Sequence, residues 1–70
     1  MAETQVTNQI RAKRFQHGEM TQQQLADLVG LTRQTIIAIE QGRYAPSLDA
    51  AFRIARAFGA TLEEVFQYPG

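Results

Sequence analysis

Arg33, Gln34, Ala38 and Gln41 share one face of a short stretch running from Thr32 to Gln41. Arginine and glutamine carry paired hydrogen-bonding groups that match guanine and adenine edges in a DNA major groove. At about 100° per residue, Ile36 and Ile39 fall on the opposite side, and Ile37 falls among the polar set. Arg33 and Gln34 are therefore candidate base readers, with Ala38 near the groove floor. Ile37 either joins them by touching a thymine methyl, packs on a neighbouring loop, or belongs to a protein interface. Gln22, Thr32, Thr35, Gln41 and Arg43 are candidate phosphate contacts. Gln22 offers its amide together with a helix N-terminus, where free backbone N–H groups favour anions. Thr35 either bonds phosphate or satisfies its own helix backbone. An ordinary amphipathic surface helix has the same two-faced pattern, so the preceding residues decide its meaning.

Two capped helices position these side chains. Thr21 and Gln24 form a Thr-x-x-Gln capping box, which ties the free amides of a helix start. Leu25, Leu28 and Val29 repeat at helical spacing, and Gly30 stops that helix after about two turns. Leu31 bridges, Thr32 caps the next helix, and Gly42 ends it. Ala26 falls near the crossing, where a small side chain permits close approach. Two short helices joined by a tight Gly-containing turn make a helix-turn-helix. The second helix of that motif enters the major groove and the first lies across the backbone.

Three further helices are expected as scaffold. The first runs from Thr7, as cap, to about His17, with Gly18 as stop. Val6, Ile10 and the stems of Lys13 or Arg14 face inward. Phe15 is either a core edge or a contact with a partner chain. The fourth runs from the Ser47 cap to Phe58, stopped by Gly59. Its Leu48, Ala51, Phe52, Ile54, Ala55 and Phe58 surround a narrow polar stripe, so it reads as the buried central helix. The fifth opens with a second capping box, Thr61 and Glu64, and continues through Val65 and Phe66.

Residues Gln22 to Gly42, Q-Q-Q-L-A-D-L-V-G-L-T-R-Q-T-I-I-A-I-E-Q-G, resemble the helix-turn-helix of the Xre/Cro family of phage-repressor-like regulators. The resemblance continues through Ile10 to Arg14 and Gly18, through Pro46-Ser47-Leu48, Ile54-Ala55 and Phe58-Gly59, and through Thr61 to Phe66. It implies an all-α, compact five-helix bundle of the lambda-repressor-like class. It also implies a partly buried ion pair between Arg14 and Glu40, locking the first helix onto the recognition helix. Three positions depart from the pattern, one of them Ile37, a large apolar group where polar residues are frequent. Gln41 stands where Asn is common, and Lys13 where Leu is common.

One domain spans 1–70, with its core at about 7–66. A chain of 70 residues without cysteine has neither disulfides nor a thiolate metal site to stabilise it. The only histidine, His17, has no nucleophile or metal partner, and no catalytic residues, metal or cofactor are expected. The polar start, Met1 to Gln9, is unlike a secretory signal, and no apolar run is long enough to span a bilayer. A cytoplasmic location is the default expectation, with neither membrane nor small-molecule partner. Seven Lys/Arg balance seven Asp/Glu, so non-specific DNA affinity is expected to be low. Arg11, Arg53 and Arg56 read as solvated surface charges.

The expected function is sequence-specific binding of double-stranded DNA as a transcriptional regulator, a repressor on a palindromic operator. A homodimer follows from the resemblance and the small size, with Phe66, Tyr68 and nearby residues of the fourth helix at its interface. A core-filling Phe66 competes with that placement. The alternative is a protein-interaction module, such as an antitoxin or bridging transcription cofactor.

Overall fold

A computed structural model describes residues 4–69. Met1 to Glu3 and Gly70, which the sequence reading includes in the domain and in the polar start, lie outside the described residues. The elements, in chain order, are β1 (Thr7–Asn8), α1 (Ile10–Gln16), α2 (Gln22–Val29), α3 (Arg33–Glu40), α4 (Leu48–Ala57), α5 (Leu62–Val65) and β2 (Phe66–Gln67). The fold is an all-α helix-turn-helix bundle of five helices, closed by a small two-stranded antiparallel ribbon.

The helices start where the capping side chains stand. Thr21 Oγ1 accepts from the Gln24 N–H at 3.0 Å, and Gln24 Oε1 accepts from the Thr21 N–H at 2.8 Å. Thr61 and Glu64 repeat this exchange at 3.2 and 2.7 Å. Thr32 and Ser47 cap α3 and α4 by accepting from the N–H groups of Thr35 and Ala50. Each cap satisfies a backbone donor that a helix start otherwise leaves unpaired. The α2–α3 turn depends on Gly30, whose φ of 72° lies in the left-handed region. There the Leu31 N–H donates back to the Ala26 carbonyl at 3.0 Å.

One side of each helix supplies the core. Ile10, Leu25, Ile36, Ile39, Ile54 and Val65 are its largest fully buried side chains. Each such side chain contributes about 1.5–3 kcal/mol on leaving water. Ala26 is fully buried, which allows α2 and α3 to approach closely.

Four sequence expectations are corrected. First, α1 begins at Ile10, not at a Thr7 cap. Thr7 and Asn8 instead pair with Gln67 and Phe66, and the Gln9 N–H donates to the Val65 carbonyl at 2.8 Å. Long-range backbone pairing outcompetes a local cap here. Second, Leu28 lies on the outer side of α2 and is 63% exposed, although Leu25 and Val29 are buried. Third, α4 is not buried all round. Ala50, Ala51, Ile54 and Ala55 face the core, whereas Leu48 is 66% and Phe52 48% exposed. Fourth, Arg53 is more than a solvated charge. Its Nη1 donates to the Val29 carbonyl at 2.9 Å, satisfying the last turn of α2, while its Nη2 meets Asp49 Oδ2 at 2.7 Å.

Candidate nucleic-acid interface

Residues Arg33–Glu40 make the eight-residue helix α3. Ile36 and Ile39 anchor it in the core, being 0% and 2% exposed. That anchorage turns the remaining side chains outward. Arg33 and Gln34 are exposed in the first turn, Thr35, Ile37 and Ala38 are half-buried along its flank, and Gln41 and Arg43 are exposed beyond its end. The candidate base readers and the candidate phosphate contacts of α3 therefore occupy the surface, with Ile37 and Ala38 partly covered.

Neighbouring elements fix the helix in place. The Arg14 guanidinium engages Glu40 through two bonds, Nε to Oε2 at 2.8 Å and Nη2 to Oε1 at 3.1 Å. Its remaining nitrogen, Nη1, donates to the Met20 carbonyl at 2.8 Å. Side-chain exposures of only 9% and 10% make this a largely desolvated pair. Gln22, the first residue of α2, donates from Nε2 to Glu40 Oε1 at 3.3 Å. A single carboxylate on α3 thus gathers α1 and the start of α2, while Arg14 ties in the α1–α2 loop. Forked Arg–carboxylate bonding defines orientation as well as proximity.

At the same end of α3, Asn8 Nδ2 donates to the Ile39 carbonyl at 2.9 Å, and Asn8 Oδ1 accepts from the Ile10 N–H at 3.2 Å. Asn8 therefore joins β1, the start of α1 and the last turn of α3. Sequence reasoning missed it. A lone asparagine ahead of a helix signals only a local cap, and its bond to Ile39 spans 31 positions.

The electrostatics suit a polyanion. Neither α2 nor α3 has an acidic residue in its first turn, so their positive dipole ends are not offset by their own side chains. Glu40, the one carboxylate of α3, is held by Arg14. Arg33 and Arg43 form no ion pair among the described residues. At the start of α3 the Thr32 and Thr35 hydroxyls lie 2.9 Å apart, and Thr32 Oγ1 accepts from the Thr35 N–H at 3.2 Å. Both hydroxyls therefore serve the helix start, with Thr32 exposed and Thr35 half-buried.

Other candidate groups lie apart from this face. The His17 ring sits 5.3 Å from the Phe58 ring, and its Nδ1 is 3.0 Å from the Lys13 carbonyl oxygen. Among the described residues no group of His, Cys, Asp and Glu could hold a metal ion. No described helix is long and apolar enough to cross a membrane.

The comparisons with known proteins agree with this geometry. A helix-turn-helix family model matches residues 10–65. An uncharacterized HTH-type transcriptional regulator of Methanocaldococcus jannaschii, MJ0272, is 49% identical over 61 residues, covering 87% of this chain and 91% of its own. One from Methanothermobacter thermautotrophicus is 57% identical over 58 residues, covering 81% of this chain and 83% of its own. The HTH-type regulator YgzD of Bacillus subtilis is 44% identical over 59 residues, covering 84% and 88%. The chain belongs to the helix-turn-helix family of Xre/Cro-like, non-enzymatic DNA-binding transcriptional regulators.

Proposed function

We propose that the protein is a sequence-specific repressor that binds a palindromic operator as a homodimer in the cytoplasm. The observation carrying this reading is the exposed Arg33–Gln34 pair on a short helix fixed by buried isoleucines and by the Arg14–Glu40 fork. Pre-positioned side chains of these types make paired bonds to guanine and adenine edges. Arg33 and Gln34 read bases, Ala38 approaches the groove floor, and Ile37 contacts a thymine methyl. Gln22, Thr32, Thr35, Gln41 and Arg43 hold the flanking phosphates. Repression follows from occupying promoter DNA.

The dimer reading rests on the single recognition helix of each copy and on one apolar surface. Each copy carries one recognition helix, whereas half-sites lie roughly 34 Å apart. With a single recognition helix, one copy fills one half-site and leaves the other to a second copy. Leu48, Phe52 and Tyr68 are exposed on the α4 and C-terminal side. A groove of about 630 Å³ lies there, lined by Leu48, Leu62, Phe66 and Tyr68 among others. Phe66 is half-buried and packs on the core, so it belongs to the groove wall and to the core at once.

Selection of bound sequences from random duplex DNA at stated salt tests the proposal. The expected result is a two-fold symmetric site that Arg33→Ala/Gln34→Ala fails to enrich. Absence of enrichment by the unmodified protein, even at low salt, would overturn it and direct the search to a protein partner.

A further inference from the structure

Helix α1 has a face toward α3 that the assignments above leave unused. The Phe15 ring is half-exposed and within cation–π reach of two guanidiniums, with the Arg11 and Arg14 Cζ atoms 5.6 and 5.7 Å from its centre. Arg14 is committed to Glu40 and Met20. Arg11 is exposed and forms no ion pair among the described residues. Cation–π attraction to Phe15 thus holds a charge that no carboxylate neutralises.

The surroundings of Arg11 are those of the proposed DNA face. It borders one surface groove with Gln22, Ile37 and Gln41, and a second with Gln22, Gln23 and Arg33. Phe15 and Glu40 line both. Lys13, two residues on, lines neither groove. Glu19 is the other carboxylate at these grooves, and it forms no ion pair among the described residues. Glu40 is already matched by Arg14.

We propose that Arg11 is a DNA phosphate contact supplied by α1, and that Phe15 is its positioning residue. This rests on the DNA-binding reading above. The backbone that crosses the start of α2 then continues past α1, so each protomer grips it from α1 as well as from α2 and α3. Phe15 touches both Arg11 and Arg14, and Arg14 in turn grips Glu40 of the recognition helix. A bound phosphate at Arg11 steadies the same assembly that orients Arg33.

The test is the salt dependence of binding to the selected operator, measured for the full chain and for Arg11→Gln, Phe15→Leu and the double variant. Arg11→Gln should weaken binding to operator and to unrelated duplex by a similar factor. It should also make the slope of log K against log salt shallower by about 0.9 per protomer. Phe15→Leu keeps apolar cover over Arg14 but removes the π face. It should weaken binding less than Arg11→Gln and have no further effect in the double variant. Arg11→Lys should restore the slope while leaving affinity below that of the unmodified protein. Thermal unfolding of each variant separates loss of fold from loss of contact. An unchanged slope in a folded Arg11→Gln protein would overturn the Arg11 assignment while the DNA reading stood. Additive effects of the two substitutions would overturn the positioning role of Phe15. No binding by the unmodified protein would remove both readings together.

Discussion

Arg14 and Glu40 tie α1, the α1–α2 loop and α3 together. Their fork is about nine-tenths shielded from water, so removing one partner leaves an unpaired charge in a poorly solvated place. Arg14→Ala or Glu40→Ala should lower unfolding stability by roughly 3–5 kcal/mol, read from urea titrations. Arg33→Ala should behave in the opposite way. Its side chain is exposed and unpaired, so stability should change little, while operator affinity falls by about 1–3 kcal/mol and one base position loses its preference. The three substitutions thus separate holding α3 in place from the base reading proposed for Arg33. The pair was legible only through the family resemblance, because nothing local to either residue points 26 positions away. Asn8 shows the limit more sharply. No pattern announces an amide that bonds the end of α3, and only the paired β1 and β2 bring it there.

Elements were legible where their signals are local. The capping boxes of α2 and α5, the Thr32 cap and the glycine turns sit within a few residues of the helix ends they define. The start of α1 was not legible, because the Thr7 hydroxyl resembles a cap while the backbone bonds that recruit it to a strand come from the other end of the chain. Gly30 gives a direct test of the turn between α2 and α3. Its left-handed φ disfavours any Cβ, and an added Cβ would lie 3.3 Å from Arg53 Nη1, the group that caps α2. Gly30→Ala should therefore destabilise the domain by about 1–2 kcal/mol. A variant as stable as the parent would show that the turn relaxes freely. Acid should loosen the start of α5. Hydrogen bonds from the Thr61 backbone, then from its hydroxyl, hold the Glu64 carboxyl below the usual carboxylate range. A depressed folded-state pKa means that its contribution is complete above the unfolded-state value and is lost as pH falls through the folded value. Glu64→Gln should flatten that part of the stability profile between neutral and acid pH. An unchanged profile would place the acid sensitivity elsewhere.

At the scale of the whole molecule, zero formal charge hides an uneven distribution. Arg11, Arg33 and Arg43 are unpaired on or beside the α1–α3 side, while Glu63 and Glu64 open α5 and Asp49 pairs with Arg53 on α4. The side bearing Leu48, Phe52 and Tyr68 is apolar, with Glu63 the charged residue lining its groove, and it suits another protein surface better than a phosphate backbone. Helical periodicity identified these α4 residues as apolar but not as uncovered, because the same spacing serves a face buried by its own chain and one buried by a second copy. Leu48→Glu/Phe52→Glu provides the test. Both side chains are already about half or more exposed, so the monomer fold should survive, as seen by helical circular dichroism and cooperative melting. If the proposed dimer forms through this face, sedimentation should report a dimer for the parent and a monomer for the variant. Loss of linkage between two half-site contacts should weaken operator binding by about 100-fold or more, while half-site binding and its dependence on Arg33 remain. A variant that stays dimeric would move the interface off α4. A variant that becomes monomeric yet binds the full operator undiminished would show that dimerisation does not supply the affinity.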